Sequence, residues 1–234
     1  MNYVEYNREE RDMCAHLFRL LLENQPKWPA LKDFLGLTEI ENPRIFCEAA
    51  LLRDAYFVRE GNSNLDDFID KICVKIAEQK NIKKPITYSQ LLEKLKVKKI
   101  HPREIKYKIE KSEETGISED DKTVYKELQG MFNAKPDIVI CYNDQLLIYE
   151  AKYKIQFNKK QFDRTKLIGQ IWANFLYEDL GFSSVPKYDV RKIGVGLSTP
   201  HVSWEKIYDI AKRYWQESDF SLRVLAKVKE KIDI

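Results

Sequence analysis

The sequence predicts an α/β fold, and three observations carry that prediction. Apolar residues in the first third of the chain recur at helical spacing. Residues 135–153, "KPDIVICYNDQLLIYEAKY", read as two short apolar strands joined by a polar turn. A long amphipathic stretch and a further strand follow directly, which completes a strand, strand, helix, strand pattern. The chain has 234 residues, of which 44% are hydrophobic, enough for one large domain or for a core with an insertion. Glycine and proline number only eight each, so long disordered tracts are not expected.

The first helix is predicted in "NREERDMCAHLFRLLLEN", where Met13, Leu17, Leu20 and Leu21 share a face and Asn7 with Glu10 resembles a capping box. Residues 1–42 form an N-terminal helical region. A core helix is predicted over 43–60, with Asn42 as cap, Pro43 in the first turn and Gly61 as the stop. A third helix, "NLDDFIDKICVKIAEQ", turns Leu65, Phe68, Ile69, Ile72 and Ile76 inward. Residues 61–130 are read as a helical, basic insertion. Within it, residues 80–111 hold eleven lysines and arginines against three glutamates. Two short helices, "YSQLLEKL" and "HPREIKYKI", fit a helix-turn-helix over 86–111, although the turn lacks glycine. The same stretch equally suits phosphate binding through Lys98, Lys99, Arg103 and Lys106, or a solvated basic surface. Ser118 with Asp121 caps a helix that runs to about Met131.

The core with its C-terminal helices is placed at 131–234. After the strand pair comes a helix over 161–180, with Ile168, Ile171, Trp172 and Phe175 inward and Gly181 as its stop. "VRKIGVGLS" is a third strand, and helices near 203–215 and 219–232 close the chain.

Three charges stand inside the strand pair. Leu146, Ile148, Glu150 and Lys152 share one side of the second strand, and Leu147, Tyr149, Ala151 and Tyr153 the other. Both sides are apolar enough to be covered, so Glu150 and Lys152 lie at the end of a buried face and need partners. Asp137, on the neighbouring strand, reaches the same sheet end in a hairpin. Two adjacent carboxylates repel unless a proton or cation lies between them. Hard oxygen ligands of this kind suit Mg²⁺ or Mn²⁺, and a lysine beside them offsets charge building on a phosphate. The plain alternative is a structural Glu150–Lys152 ion pair, with Asp137 capping the preceding turn.

Pro136-Asp137 followed by Glu150-Ala151-Lys152 resembles the motif of the PD-(D/E)XK nuclease superfamily, whose restriction-endonuclease-like core runs helix, strand hairpin, helix, strand. The resemblance implies that Asp137, Glu150 and the Ala151 backbone carbonyl hold Mg²⁺ or Mn²⁺, and that Lys152 serves the attacking water. The family often adds a glutamate from a preceding helix: Glu48 on the 43–60 helix and Glu127 before the strands both qualify. Gln170 resembles a glutamine of the RecB-like branch, but Asn174 stands where that branch has tyrosine. Lys154, Lys159, Lys160, Arg164 and Lys166 start just past the motif and suit the phosphate backbone of nucleic acid.

A metal-dependent DNA endonuclease in bacterial or mobile-element defence, restriction-like, is the expectation. RNA remains an open substrate, as do a homodimer and an activating protein partner. Two other readings stand beside it: a non-catalytic nuclease-fold subunit for nucleic-acid binding or assembly, and a helix-turn-helix regulator. Four dispersed cysteines (Cys14, Cys47, Cys73, Cys141) without a C-x-x-C pair, and no apolar N-terminal stretch or long apolar run, suggest a reduced, cytoplasmic setting without membrane. His16, His101 and His201 do not cluster with the cysteines, which argues against zinc. No G-x-x-x-x-G-K-[ST] phosphate loop is present.

Overall fold

The computed structural model describes residues 10–111, 116–152 and 159–229. Its elements run α1 (Glu10–Leu21), α2 (Pro29–Leu35), β1 (Arg44–Cys47), α3 (Leu51–Arg59), α4 (Leu65–Gln79), α5 (Tyr88–Lys94), a 3-10 turn (Pro102–Glu104), α6 (Ile105–Lys111), α7 (Glu119–Asn133), β2 (Ile138–Tyr142), β3 (Gln145–Ala151), α8 (Lys159–Phe175), β4 (Lys187–Gly194), β5 (Val202–Ser203), α9 (Trp204–Tyr214) and α10 (Phe220–Lys229). The α/β class is therefore observed. The chain divides into two units, one of residues 1–49, 136–169 and 184–234, the other of residues 50–135 and 170–183.

The first unit is built on a mixed five-stranded sheet in the order β1-β2-β3-β4-β5. β1, β2 and β3 pair antiparallel, whereas β3–β4 and β4–β5 pair parallel. Asn143 and Asp144 form the two-residue turn between β2 and β3, and Asn143 takes the positive φ of 47° that such a turn requires. One sheet face, with Ile138, Ile140, Leu147, Tyr149, Ala151 and Ile193, forms a core with buried residues of α1, α2, α9 and α10. The opposite face carries Leu146, Ile148 and Glu150 and meets α8 at Thr165 and Gly169. Strand β3 is thus covered on both faces, as its apolar pattern requires.

The predicted 43–60 helix is corrected by the structure. Residues 44–47 are a strand, and the helix starts only at Leu51. Arg44–Cys47 pair with Cys141–Ile138 and cover the edge that β2 would otherwise expose. Pro43 precedes the ladder, where its missing N–H costs nothing. The helix predicted over 161–180 spans 159–175, and the third strand begins earlier than read, at Lys187.

The second unit is helical. Thr87 and Gln90 form a reciprocal capping box on α5. At the start of α7 Ser118 accepts the Asp121 N–H, the cap that the sequence indicated. Asp121, 7% exposed, also accepts the Ile86 N–H at 2.9 Å and so ties the segment before α5 to α7. Within 86–111 the two helices are α5 and α6. Residues 95–101 and the 3-10 turn separate them, a longer connection than the tight turn expected of a helix-turn-helix. Lys96 takes a left-handed conformation, φ 52°, where glycine was absent. No described helix is long and apolar enough to cross a membrane. Asn7 and Lys154 lie outside the described residues.

Candidate active site

Strand register places the motif residues in one row. Ile138 pairs with Cys47 on one side and with Tyr149 on the other, so the next step aligns Glu48, Asp137 and Glu150. The Glu48 N–H donates to the Asp137 carbonyl at 3.0 Å, which extends the β1–β2 ladder to this row. In the parallel direction Glu150 pairs with Lys192 of β4. Glu48 after β1, Asp137 before β2, Glu150 in β3 and Lys192 in β4 therefore share one level at a sheet end, and Lys152 follows two residues beyond Glu150 on the same side of β3.

Each carboxylate is held by the fold. The Asp137 Oδ2 accepts the Ala151 N–H at 2.7 Å, which clamps the aspartate across the β2–β3 pair. Glu150 is 6% exposed. Its Oε1 accepts from the Thr165 hydroxyl at 2.7 Å, and its Oε2 from the Gln161 amide at 2.9 Å. Both donors sit on α8, four residues apart and hence on one face. Burial nevertheless pushes the Glu150 carboxyl up to about 7; the Asp137 charge adds to that rise, while Thr165, Lys152 and Gln161 oppose it. Desolvation outweighs two hydrogen bonds and the nearby Lys152 ammonium.

The structure brings Asp137, Glu150 and Lys152 together. Lys152 is anchored through its backbone: its N–H donates to the Ile193 carbonyl at 2.8 Å and its carbonyl accepts the Trp204 indole N–H at 3.0 Å. Glu48 belongs to the row by register, but its place on a helix stripe is overturned. It follows β1 at a positive φ of 49°, and its carboxylate pairs with Arg11 of α1. Burial, and then the charges of Glu48 and Asp137, raise the Cys47 thiol. Glu127 pairs with Lys80 at 3.3 Å inside the second unit. Gln170 lies on α8, but the α8 side chains that meet Glu150 are Gln161 and Thr165. The Gln170 carbonyl accepts from the Asn174 side chain at 2.7 Å.

Among the cations, Lys159, Lys160, Arg164 and Lys166 are exposed on the first turns of α8. In the second unit Lys99 pairs with Glu60, the Arg103 Nε donates to Asn133 Oδ1 at 2.8 Å, and Lys106 lies 3.8 Å from Glu110; Lys98 is exposed. Thr165, Gln161 and Lys192 were not foreseen. The place of Gln161 and Thr165 on one helix face, directly after a strand ending in charges, is a signal that could have marked the first two, though it does not name what lies opposite. Nothing local marks Lys192, which enters through strand pairing.

Among the described residues no three His, Cys, Asp or Glu side chains form a ready metal cage. Two carboxylates suffice for Mg²⁺, which keeps several waters and takes phosphate oxygens from its substrate. A carboxylate oxygen that accepts one hydrogen bond retains a second lone pair, so the bonds to Thr165, Gln161 and Ala151 leave coordination open. The donor set and the raised Glu150 carboxyl fit a hard divalent cation. Compared with protein-family models, curated proteins and solved structures, the chain matches none.

Proposed function

We propose that the chain is a metal-dependent DNA endonuclease of the PD-(D/E)XK type. The observation that carries this reading is the in-register pair Asp137–Glu150 at a sheet end, with Glu150 buried and driven toward protonation in the absence of a cation. Asp137, Glu150 and the Ala151 carbonyl are the residues that would hold Mg²⁺ or Mn²⁺. Such an ion, when bound, polarises the phosphate and acidifies a water.

The protein's own groups do the rest. Thr165 and Gln161 fix both oxygens of Glu150, so its geometry is set before substrate arrives. Lys152 orients the attacking water and offsets the negative charge that grows on the phosphate. The water oxygen bonds to phosphorus, one bridging P–O bond breaks, and the departing oxygen takes up a proton. The exposed cations Lys159, Lys160 and Arg164 hold the flanking backbone. A restriction-like role in bacterial or mobile-element defence suits this chemistry, and cutting both strands of a duplex suits a homodimer.

The test is cleavage of supercoiled plasmid, linear duplex, single-stranded DNA and RNA with Mg²⁺, Mn²⁺ or EDTA. Metal-dependent cutting that is lost in both Asp137→Asn and Lys152→Met supports the proposal and names the substrate. One observation favours a second reading: three carboxylate oxygens of the pair already have protein donors. A non-catalytic nucleic-acid-binding subunit accounts for that. It predicts no cleavage, with binding unchanged in Asp137→Asn.

A further inference from the structure

Three buried polar atoms of the second unit have no hydrogen-bond partner among the described residues: Arg53 Nε, Tyr56 Oη and His101 Nε2. Leaving such groups unpaired is costly, and a native fold that does so calls for a physical reason. The three belong to one cluster. Arg53 and Tyr56 stand three residues apart on α3, hence on one face. The Tyr56 and His101 rings meet at 4.4 Å between centroids, and the Arg53 charge acts on His101. Each atom can donate. His101 Nδ1 accepts the Arg103 backbone N–H at 3.1 Å. Burial, then the Arg103 charge, holds the imidazole below its ordinary value and neutral, so its one proton sits on Nε2. A guanidinium, a phenol and an imidazole thus offer three donors with one positive charge among them. The Glu60 carboxylate acts on both Tyr56 and His101, but it is paired with Lys99. Glu104 acts on His101 less than Arg103 does.

A phosphate group accepts several hydrogen bonds at once and complements the charge that Arg53 carries. Phe57 narrows the choice of ligand. It is 59% exposed, and its ring lies 5.7 Å from that of Tyr56 and 5.6 Å from that of His101. An exposed aromatic face beside phosphate donors suits a nucleobase, which stacks on such rings. We infer that Arg53, Tyr56 and His101 bind the phosphate group of a nucleotide whose base stacks on Phe57. The site belongs to the second unit, needs no metal and does not rest on the endonuclease reading. Entry to the buried donors requires the exposed Phe57 ring to turn.

The experiment is isothermal titration calorimetry of the full chain, in EDTA, with adenosine monophosphate, inorganic phosphate and adenosine. The monophosphate is expected to bind more tightly than phosphate, and adenosine to give no measurable binding. Arg53→Gln and Tyr56→Phe should each weaken the monophosphate and phosphate by roughly tenfold or more, the loss of one hydrogen bond to a charged group. Phe57→Leu should reduce the monophosphate to the affinity of phosphate. Asp137→Asn should bind as wild type does, which keeps this result apart from the fate of the nuclease reading. Unfolding midpoints of the ligand-free variants separate these effects from loss of fold. Tyr56→Phe is expected to keep or raise its midpoint, because it removes a hydroxyl that the fold leaves unpaired. The absence of binding by both monophosphate and phosphate overturns the inference, as does an unchanged affinity in Tyr56→Phe. Adenosine that binds as tightly as its monophosphate overturns it too.

Discussion

Glu150 behaves oppositely to a carboxylate stabilised by an ion pair. Its folded value, about 7, lies above the ordinary 4.5, because burial exceeds the help given by Thr165, Lys152 and Gln161. Below pH 4.5 folded and unfolded chains both carry the proton, and the metal-free fold is favoured most. As pH rises from about 4.5 to about 7, the unfolded chain ionises first, and stability falls by roughly 3 kcal/mol in total. Denaturation midpoints between pH 4 and 8 are expected to show this loss in wild type, and Glu150→Gln to flatten it. A cation competes with that same proton, so Mg²⁺-dependent cleavage should rise through pH 7. Thr165→Val removes the largest opposing influence on Glu150. It should move the cleavage profile to higher pH and cost about 1.5–3 kcal/mol at pH 8, with Thr165→Ser close to wild type in both assays. At this scale the charges themselves were legible in the sequence, because a carboxylate and a lysine on an apolar strand face demand partners. The partners Thr165 and Gln161 were less so, since a threonine on a helix gives no sign of what lies opposite.

Elements differ in how local their causes are. The β2–β3 hairpin was legible because Asn143-Asp144 supplies its own turn and the flanking runs favour strand. β1 was not, because Ile45, Glu48, Leu52 and Ala55 happen to recur at helical spacing. What makes 44–47 a strand is hydrogen bonding to β2, roughly ninety residues away in sequence. Where α8 crosses β3, the contact depends on a missing side chain. A Cβ at Gly169 would stand 2.9 Å from Tyr188 Cδ2 and 3.1 Å from Ile148 Cδ1. Tyr188 is 40% exposed and can swing aside, but Ile148 is fully buried. Alanine gains about 1 kcal/mol of helix propensity, against an overpacking cost of about 1–3 kcal/mol. Gly169→Ala is therefore expected to lower the unfolding midpoint, and Gly169→Val to lower it further. A rise in midpoint for Gly169→Ala would show that the α8–β3 gap opens more easily than this packing implies.

Across the whole molecule, the candidate site draws on four separated stretches of the first unit: residue 48, residues 137–152, residues 161–165 and residue 192. Only residues 137–152 carry a motif, which is why Lys192 escaped a reading along the chain. The basic residues show the converse, since the richest run in sequence belongs to the second unit and the carboxylates to the first. Residues 80–111 hold ten of the 29 lysines, and within the second unit Lys99, Arg103 and Lys106 meet Glu60, Asn133 and Glu110. Lys159, Lys160 and Arg164 stand exposed on the helix whose side chains hold Glu150. On the proposed function, the cations on the helix that holds Glu150 are the ones expected to meet the phosphates beside it. Replacing Lys159, Lys160 and Arg164 together by glutamine should weaken DNA binding and lower the salt slope by about two to three. The same treatment of Lys98, Lys99, Arg103 and Lys106 should change the slope by less than about one. Anisotropy titrations of both variants over a salt series decide the matter. The reverse ranking would place the DNA-holding surface on the second unit, and the helix pair α5–α6 would then become the element to test for groove recognition.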